Sequence, residues 1–352
     1  MMMMMMMKGL IVTGGGTLSE GQVTYFNILR GGGLRLNFPQ LPGLKTIQGR
    51  KIAITGASGQ LGKPTINALV GLGAHTITAI QRPEATSTFP DGITVKKGNL
   101  KDEAFLTEVL KGQDALVLMP PLAQLVELQE PAIRAAANAG VPYILPSEFG
   151  PDPFAGQLVE ENELLIAKKR IRDLIESIGV SSWISIAVGP WLDAGLTQGL
   201  WGVEPRTRKA TIWQGANAKV NTATISHAAE AVAAVLSLPE ADLAKYKNKA
   251  VYTPSFHLTQ REILDAVQHA TGTTDADWDI KTRDVDEVAK EYEDKIKQGD
   301  DVAPFIKFFV THFLEGHGGD FNSKVDSTEL EKLEHLGLHK ENLMQAIKVA
   351  LQ

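Results

Sequence analysis

The sequence predicts an α/β fold: a parallel sheet wound on both faces by helices, followed by a smaller α+β lobe. Two observations predict it. From Lys51 onward, short apolar runs alternate with segments of helical apolar spacing, and a glycine turn joins the first run to the first helix. Lys51-Ile-Ala-Ile-Thr55 reads as a short buried strand. The turn Gly56-Ala-Ser58-Gly59-Gln60-Leu61-Gly62 follows, then Ile66, Leu69, Val70 and Leu72 at helical spacing. In such a unit Gly56 takes the tight turn, Gly59 lets the backbone approach a pyrophosphate, and Gly62 lets helix and strand pack closely, so the helix N-terminus faces the phosphates. The whole turn from Gly56 to Gly62 is therefore expected to bind a dinucleotide, in a Rossmann-type doubly wound sheet.

The next strand, His75 to Ile80, ends at Gln81 and Arg82. No acid stands there to hold a ribose 2′-hydroxyl. Arg82 suits a 2′-phosphate instead, which points to NADPH/NADP+, although Glu84 is near enough to pair with it. Ile93 to Lys97 supplies a third strand, followed by Gly98-Asn99-Leu100 and a helix from about Asp102 to Leu110. Asp114 to Leu118 is a fourth strand, Leu125 to Ala139 a helix, and Pro142 to Leu145 a fifth strand running into Pro146-Ser147-Glu148-Phe149-Gly150. Ligands in such sheets sit at the carboxyl ends of the strands, so Met119, Pro120, Pro121 and Ser147 to Gly150 are expected to line one cleft around the nicotinamide.

A helix from about Val159 to Ile178 buries Leu164, Ala167, Ile171, Leu174, Ile175 and Ile178. At about 100° per residue Lys168 borders that stripe, while Lys169 points to solvent as a partner for Glu163 or Glu176. After a sixth strand from Trp183 to Val188 the pattern turns irregular, with Trp191, Trp201 and Trp213 in succession. Trp213 reads as a core anchor; Pro121, Trp191, His312 and Phe313 are the candidate substrate contacts. Thr259 to Ala270 and Val285 to Ile296 read as amphipathic helices, and the glycines from Gly316 to Gly319 suit a mobile lid. Residues 51–190 form the expected cofactor domain and 191–352 mainly the substrate lobe, with some segments returning to the sheet. Met1 to Arg50, with its methionine run and its glycine clusters that no apolar helix follows, reads as a flexible extension.

Composition narrows the function. Of 352 residues, 43% are hydrophobic and 22% charged, which is ordinary globular chemistry. A net charge of −6 offers no basic face to nucleic acid or an anionic membrane, so a small molecule is the expected partner. The chain has no cysteine, which excludes disulfides, thiolate metal sites and thiol nucleophiles, and no His spacing suggests a metal. The absence of a long apolar run leads us to expect a cytoplasmic protein, monomeric or homodimeric.

Taken together, Gly56 to Gly62, Gln81-Arg82, Gly98-Asn99-Leu100, Pro146 to Gly150 and the Lys168-Lys-Arg-Ile-Arg172 segment resemble the isoflavone reductase and NmrA-like branch of the atypical short-chain dehydrogenases. The likeness covers about Lys51 to Gln352. Thr224 to Ala233 is similar to that family's strand-to-helix return, and Gly319-Asp-Phe-Asn322 to a late loop over the substrate cleft. The resemblance implies an NADPH-dependent reductase of an apolar, aromatic or conjugated small molecule, whose general acid/base is the lysine four residues before Arg172, namely Lys168. Asn99 stands where many relatives carry an Asp beside the adenine. Leu164 stands where conventional short-chain dehydrogenases carry a Tyr, so phenol-assisted chemistry on this helix is excluded by residue type. The alternative implied by the same family is a non-catalytic NADP-sensing regulator; an NADP-linked epimerase or dehydratase is disfavoured by the missing Tyr.

Overall fold

The computed structural model describes residues 47–352. The chain opens with β1 (Lys51–Thr55), α1 (Gly62–Leu72), β2 (Thr76–Gln81), β3 (Thr94–Lys97), α2 (Glu103–Leu110), β4 (Ala115–Leu118), α3 (Leu125–Ala139) and β5 (Tyr143–Leu145). Helices α4 (Gly156–Glu161) and α5 (Glu163–Ile178) lead to β6 (Ser182–Ala187). Then come α6 (Leu192–Thr197), β7 (Val203–Glu204), β8 (Lys209–Gln214), β9 (Val220–Thr222), α7 (Ile225–Leu236), α8 (Glu240–Leu243) and β10 (Lys249–Tyr252). The chain closes with β11 (Phe256–Leu258), α9 (Gln260–Thr271), β12 (Asp279–Asp284), α10 (Val285–Lys297), α11 (Ala303–His312), α12 (Ser327–Glu334) and α13 (Leu343–Ala350).

The main sheet has the order β10-β6-β5-β4-β1-β2-β3. Every pairing in it is parallel. Strand order reverses at β1 and β4, which leaves a crevice at their carboxyl ends. Side-chain alternation explains why both faces are covered. Ile52, Ile54, Val117, Leu145 and Ile184 point into the core shared with α1 and α7, while Ala53, Leu116, Leu118, Ile144 and Trp183 point into the core shared with α2, α3 and α5. The outer strand β3 is exposed along its whole length, and its Lys96 and Lys97 discourage pairing with another edge.

A seventh strand, β10, extends the sheet beyond the six expected: four residues, Lys249–Tyr252, reached through α7, whose nearly uniform burial makes it a crossover inside the core. The expected helix from Val159 to Ile178 is two helices, because Asn162 takes extended backbone and turns its amide onto Leu158 O at 2.8 Å and Thr311 Oγ1 at 3.2 Å. The boundary of the extension also moves. Arg50 is buried and donates to Leu236 O at 2.5 Å and Leu238 O at 2.7 Å, and Gln48 N donates to Ser237 O, so residues 47–50 belong to the fold. The remainder of the expected extension lies outside the described residues.

The second lobe is built on β12-β8-β7 and the two-stranded β11-β9, with α6, α9, α10, α11 and α13 around them. Its core is aromatic: Trp201 meets Phe309 edge-on at 4.6 Å and Phe313 at 5.8 Å, and Trp213 lies 5.9 Å from Phe313. Among the described residues no helix is long and apolar enough to cross a membrane.

Candidate active site

The crevice at the strand ends is a cleft of about 640 Å³. Its floor is the turn after β1. Gly56 sits at φ +71°, and a Cβ there would stand 1.9 Å from Met119 O, so the turn closes against the end of β4 only without a side chain. At Gly62 a Cβ would stand 2.1 Å from Gly56 O; the close approach is to the turn itself rather than, as expected, to the strand. No side chain caps α1 and no acid occupies its first turn. Lys63 N and Thr65 N turn back onto Gly59 O and Leu61 O, and Pro64 has no N–H, so the backbone N–H groups left without a backbone acceptor here are those of Gln60, Leu61 and Gly62. They present partial positive charge to the cleft, a ready seat for a pyrophosphate.

Farther along β2, the cleft is walled by Gln81, Arg82, Glu84, Thr86 and Ser87. Both readings of Arg82 coexist: it lines the cleft, and its Nε lies 3.3 Å from Glu84 Oε1. Both side chains are more than 60% exposed, so a 2′-phosphate can displace the carboxylate at little cost. Gln81 Oε1 is buried without a donor, an acceptor that an adenosine amino or hydroxyl group would satisfy. Leu100 lines this wall, but Asn99 does not: its Oδ1 accepts from Lys101 N at 3.0 Å and is spent on its own turn. An uncapped helix end, an available cation and an orphaned acceptor in one cleft fit a phosphorylated dinucleotide such as NADP(H).

The other end of the cleft is lined by Met119, Pro120, Pro121, Leu122, Ser147, Phe149, Lys168 and Trp191. Ser147 N donates to Gln129 Oε1 at 2.8 Å, and Ile186 N to Glu148 O at 2.9 Å, which fixes the loop after β5. Trp191 donates its indole N–H to Phe149 O at 2.8 Å, so the ring stands as a fixed wall. Leu122 and Gln124, in the short turn before α3, and Leu128 at its start join the lining without a signal in the sequence beyond helical spacing.

Lys168 is 8% exposed on α5, and among the described residues it has no hydrogen bond or ion pair. Its Nζ is 4.0 Å from where a Cβ on Gly150 would stand. Burial pushes its pKa below the ordinary lysine value; the Glu148 carboxylate opposes that shift and the Arg172 guanidinium adds to it. Lys169 is exposed and pairs with Asp173 at 2.6 Å, rather than with Glu163 or Glu176. Behind Lys168, Arg172 binds Glu148 through Nη1 and Pro153 O through Nη2 at 3.0 Å, both side chains buried. Nothing in the spacing of Glu148 and Arg172 announces that pair.

His312 and Phe313, expected to touch substrate, are buried in the aromatic core of the second lobe and do not line the cleft. The His312 ring packs 4.4 Å from Phe308, its Nδ1–H donates to Phe308 O at 2.5 Å, and burial pushes its pKa down to about 4. The Gly316–Gly319 lid is likewise corrected. A Cβ on Gly319 would stand 2.0 Å from His312 O, and one on Gly318 would stand 2.5 Å from Ala155 Cβ, so the segment is packed down. It borders a separate polar hollow with Asn217, Asp320 and His257, whose Nε2 is 3.0 Å from Asp320 Oδ2 without hydrogen-bond geometry. Phe321, in the expected late loop, packs on Tyr252 rather than over the cleft.

Comparison with known proteins agrees with this architecture. The sequence profile of the NmrA-like family matches residues 48–299. The chain is 27% identical to the oxidoreductase aprR of Aspergillus flavus over 77% of its own length and 90% of that protein. It is 29% identical to the isoflavone reductase homolog IRL of Zea mays over 64% of its own length and 75% of that protein. Among solved structures, AtPrR2 with NADP+ and (+)pinoresinol superposes with a TM-score of 0.68 at 20% identity, covering 86% of this chain and 99% of that one. An isoflavone reductase crystal structure gives 0.67 at 19% identity, with the same coverage. With most of its length matched by that profile and a dinucleotide cleft at the strand ends, the chain belongs to the NmrA-like family and is an oxidoreductase.

Proposed function

We propose that the protein is an NADPH-dependent reductase of an apolar, aromatic or conjugated small molecule, with Lys168 as its general acid/base. The observation that carries this reading is a buried, unpaired lysine sharing one cleft wall with Met119, Pro120, Pro121, Phe149 and Trp191. NADPH bound along the cleft supplies a hydride. The free N–H groups of Gln60, Leu61 and Gly62, where the turn enters α1, hold its pyrophosphate, Arg82 its 2′-phosphate, and the fixed Trp191 and Phe149 surfaces exclude water and pack on a planar substrate. Lys168 Nζ releases the matching proton to the substrate, so that hydride and proton together complete a two-electron reduction. No phenol assists, since Leu164 occupies the position one turn earlier.

A cofactor sensor has no use for an unpaired buried ammonium in its cleft, and this favours the enzyme over the regulator. The names of similar proteins support the substrate class: one is an isoflavone reductase homolog, and one solved structure contains pinoresinol. The test is a panel of aromatic enones and lignan-like compounds, followed by loss of NADPH absorbance. Turnover of at least one is expected; tight NADPH binding with no oxidation across the panel would return the regulator.

A further inference from the structure

A buried ammonium beside a carboxylate ordinarily pairs with it. Lys168 does not, although Glu148 lies on the loop that flanks it and acts on it electrostatically. The carboxylate is taken by Arg172, one turn farther along the same helix. Three contacts hold Arg172 in place, namely Nη1 on Glu148, Nη2 on Pro153 O at 3.0 Å, and the guanidinium lying 5.6 Å from the centroid of the Trp183 ring. We infer that Arg172 is a positioning residue for Lys168: by occupying Glu148 it keeps the carboxylate off the lysine and leaves the ammonium free to give its proton into the cleft.

The remaining charges around α5 are engaged elsewhere. Lys169 pairs with Asp173 and Arg170 with Glu130 on the exposed face, and Glu176 accepts from the Trp183 indole. On the loop after β5, Asp152 is held by Lys324 and by Tyr252 Oη; on α4, Glu161 pairs with His317. Glu160 and Glu163 are exposed on α4 and α5. Glu148 and Arg172 are the two charges that act on Lys168, and with opposite sign. An arginine suits the role because its planar fork serves two acceptors at once and stays charged at every working pH; a lysine cannot span both.

The inference rests on Lys168 being the proton donor, and its test separates the two claims. In the full chain with NADPH bound, the titration of Lys168 is followed by competitive acetylation and mass spectrometry, alongside the pH profile of kcat/KM. Arg172→Met should move the Lys168 midpoint to higher pH, because Glu148 then pairs with the ammonium. Glu148→Gln should move it to lower pH, leaving the Arg172 cation uncompensated. The double variant should return it toward the wild-type position, and Arg172→Lys should restore it only in part. Midpoints that do not move, or that move the same way in both single variants, overturn the inference, since a pair without influence on Lys168 would give no opposed shifts. If Arg172→Met does not fold, Glu148→Gln decides alone, and an unmoved or raised midpoint is fatal. If the titration shifts as stated while the alkaline limb of kcat/KM stays put, Arg172 positions Lys168 but the lysine is not the proton donor.

Discussion

Two glycine-rich segments of this chain, Gly56–Gly62 and Gly316–Gly319, look alike in sequence and do opposite things. In the first, the glycines tighten a turn so that the backbone N–H groups of Gln60, Leu61 and Gly62 open onto the cleft. In the second, they let backbone pack on backbone: Leu158 N donates to His317 O and Asn221 N to Gly319 O, both at 3.1 Å. One set of glycines builds a ligand seat and the other a seam. Neighbouring strand and helix fix the first locally; the second depends on Ala155, Asn221 and His312, all distant from it or buried beneath it.

The largest effect that tests this contrast lies in the cleft the first segment opens. Lys168→Ala should cut kcat by about 10²- to 10⁴-fold on any substrate found, with the NADPH Kd nearly unchanged. Lys169→Ala, in its exposed ion pair, should change neither. Full activity in the Lys168 variant, or loss in the Lys169 variant, would break the assignment.

Placing a side chain in each glycine segment should then separate seat from seam. Gly62→Ala forces the turn against Gly56 O and should cost most of the NADPH affinity; Gly319→Ala should lower stability by about 1–3 kcal/mol while folded protein still binds NADPH. Calorimetric melting and cofactor titration on both variants decide it. Equal loss of NADPH binding would show that the seam is part of the site after all.

Arg82→Ala probes the far end of the cleft. Loss of a charge-assisted contact to a phosphate should remove about 1.5–3 kcal/mol of preference for NADPH over NADH. A variant that keeps the wild-type ratio of dissociation constants would leave the 2′-phosphate to Thr86 and Ser87.

The smallest effect concerns pH. His312 titrates near 4 when folded, below its ordinary 6.5, so it contributes stability that is fully present above about pH 6.5 and lost as pH falls toward 4. His75, also held near 4, acts in the same direction. His312→Leu should flatten part of the acid slope of denaturant-unfolding stability between these pH values without raising the KM of a substrate. A raised KM would return His312 to the substrate site.

Much of the site is legible in residues close together in the chain. The turn from Gly56 to Gly62, the Gln81-Arg82 strand end and the Lys168 register each rest on a period of two or 3.6, or on backbone geometry, within about twenty residues. Such features are set by local sterics and one buried face, and β1, α1 and α3 form with ends within a few residues of expectation. The aromatic run near His312 carries the same apolar signal whether it faces a ligand or a core. Only the packing of Trp201 and Trp213 around Phe313, and of Phe309 against Trp201, decides for the core.

The sequence by itself determined the α/β winding, the glycine turn between β1 and α1, a cation at the end of β2 and the burial of Lys168 beside an exposed Lys169, because each is a matter of spacing along one element. Tertiary structure alone decided that Arg50 is part of the fold, that β10 completes the sheet, that Asn99 turns away, and that Glu148 is taken by Arg172. Those outcomes depend on groups 24 to 188 residues apart, or on which of several possible hydrogen-bond partners arrives, as at Asn99. Spacing along the chain does not encode such meetings; they follow once the sheet and its two cores have brought the elements together.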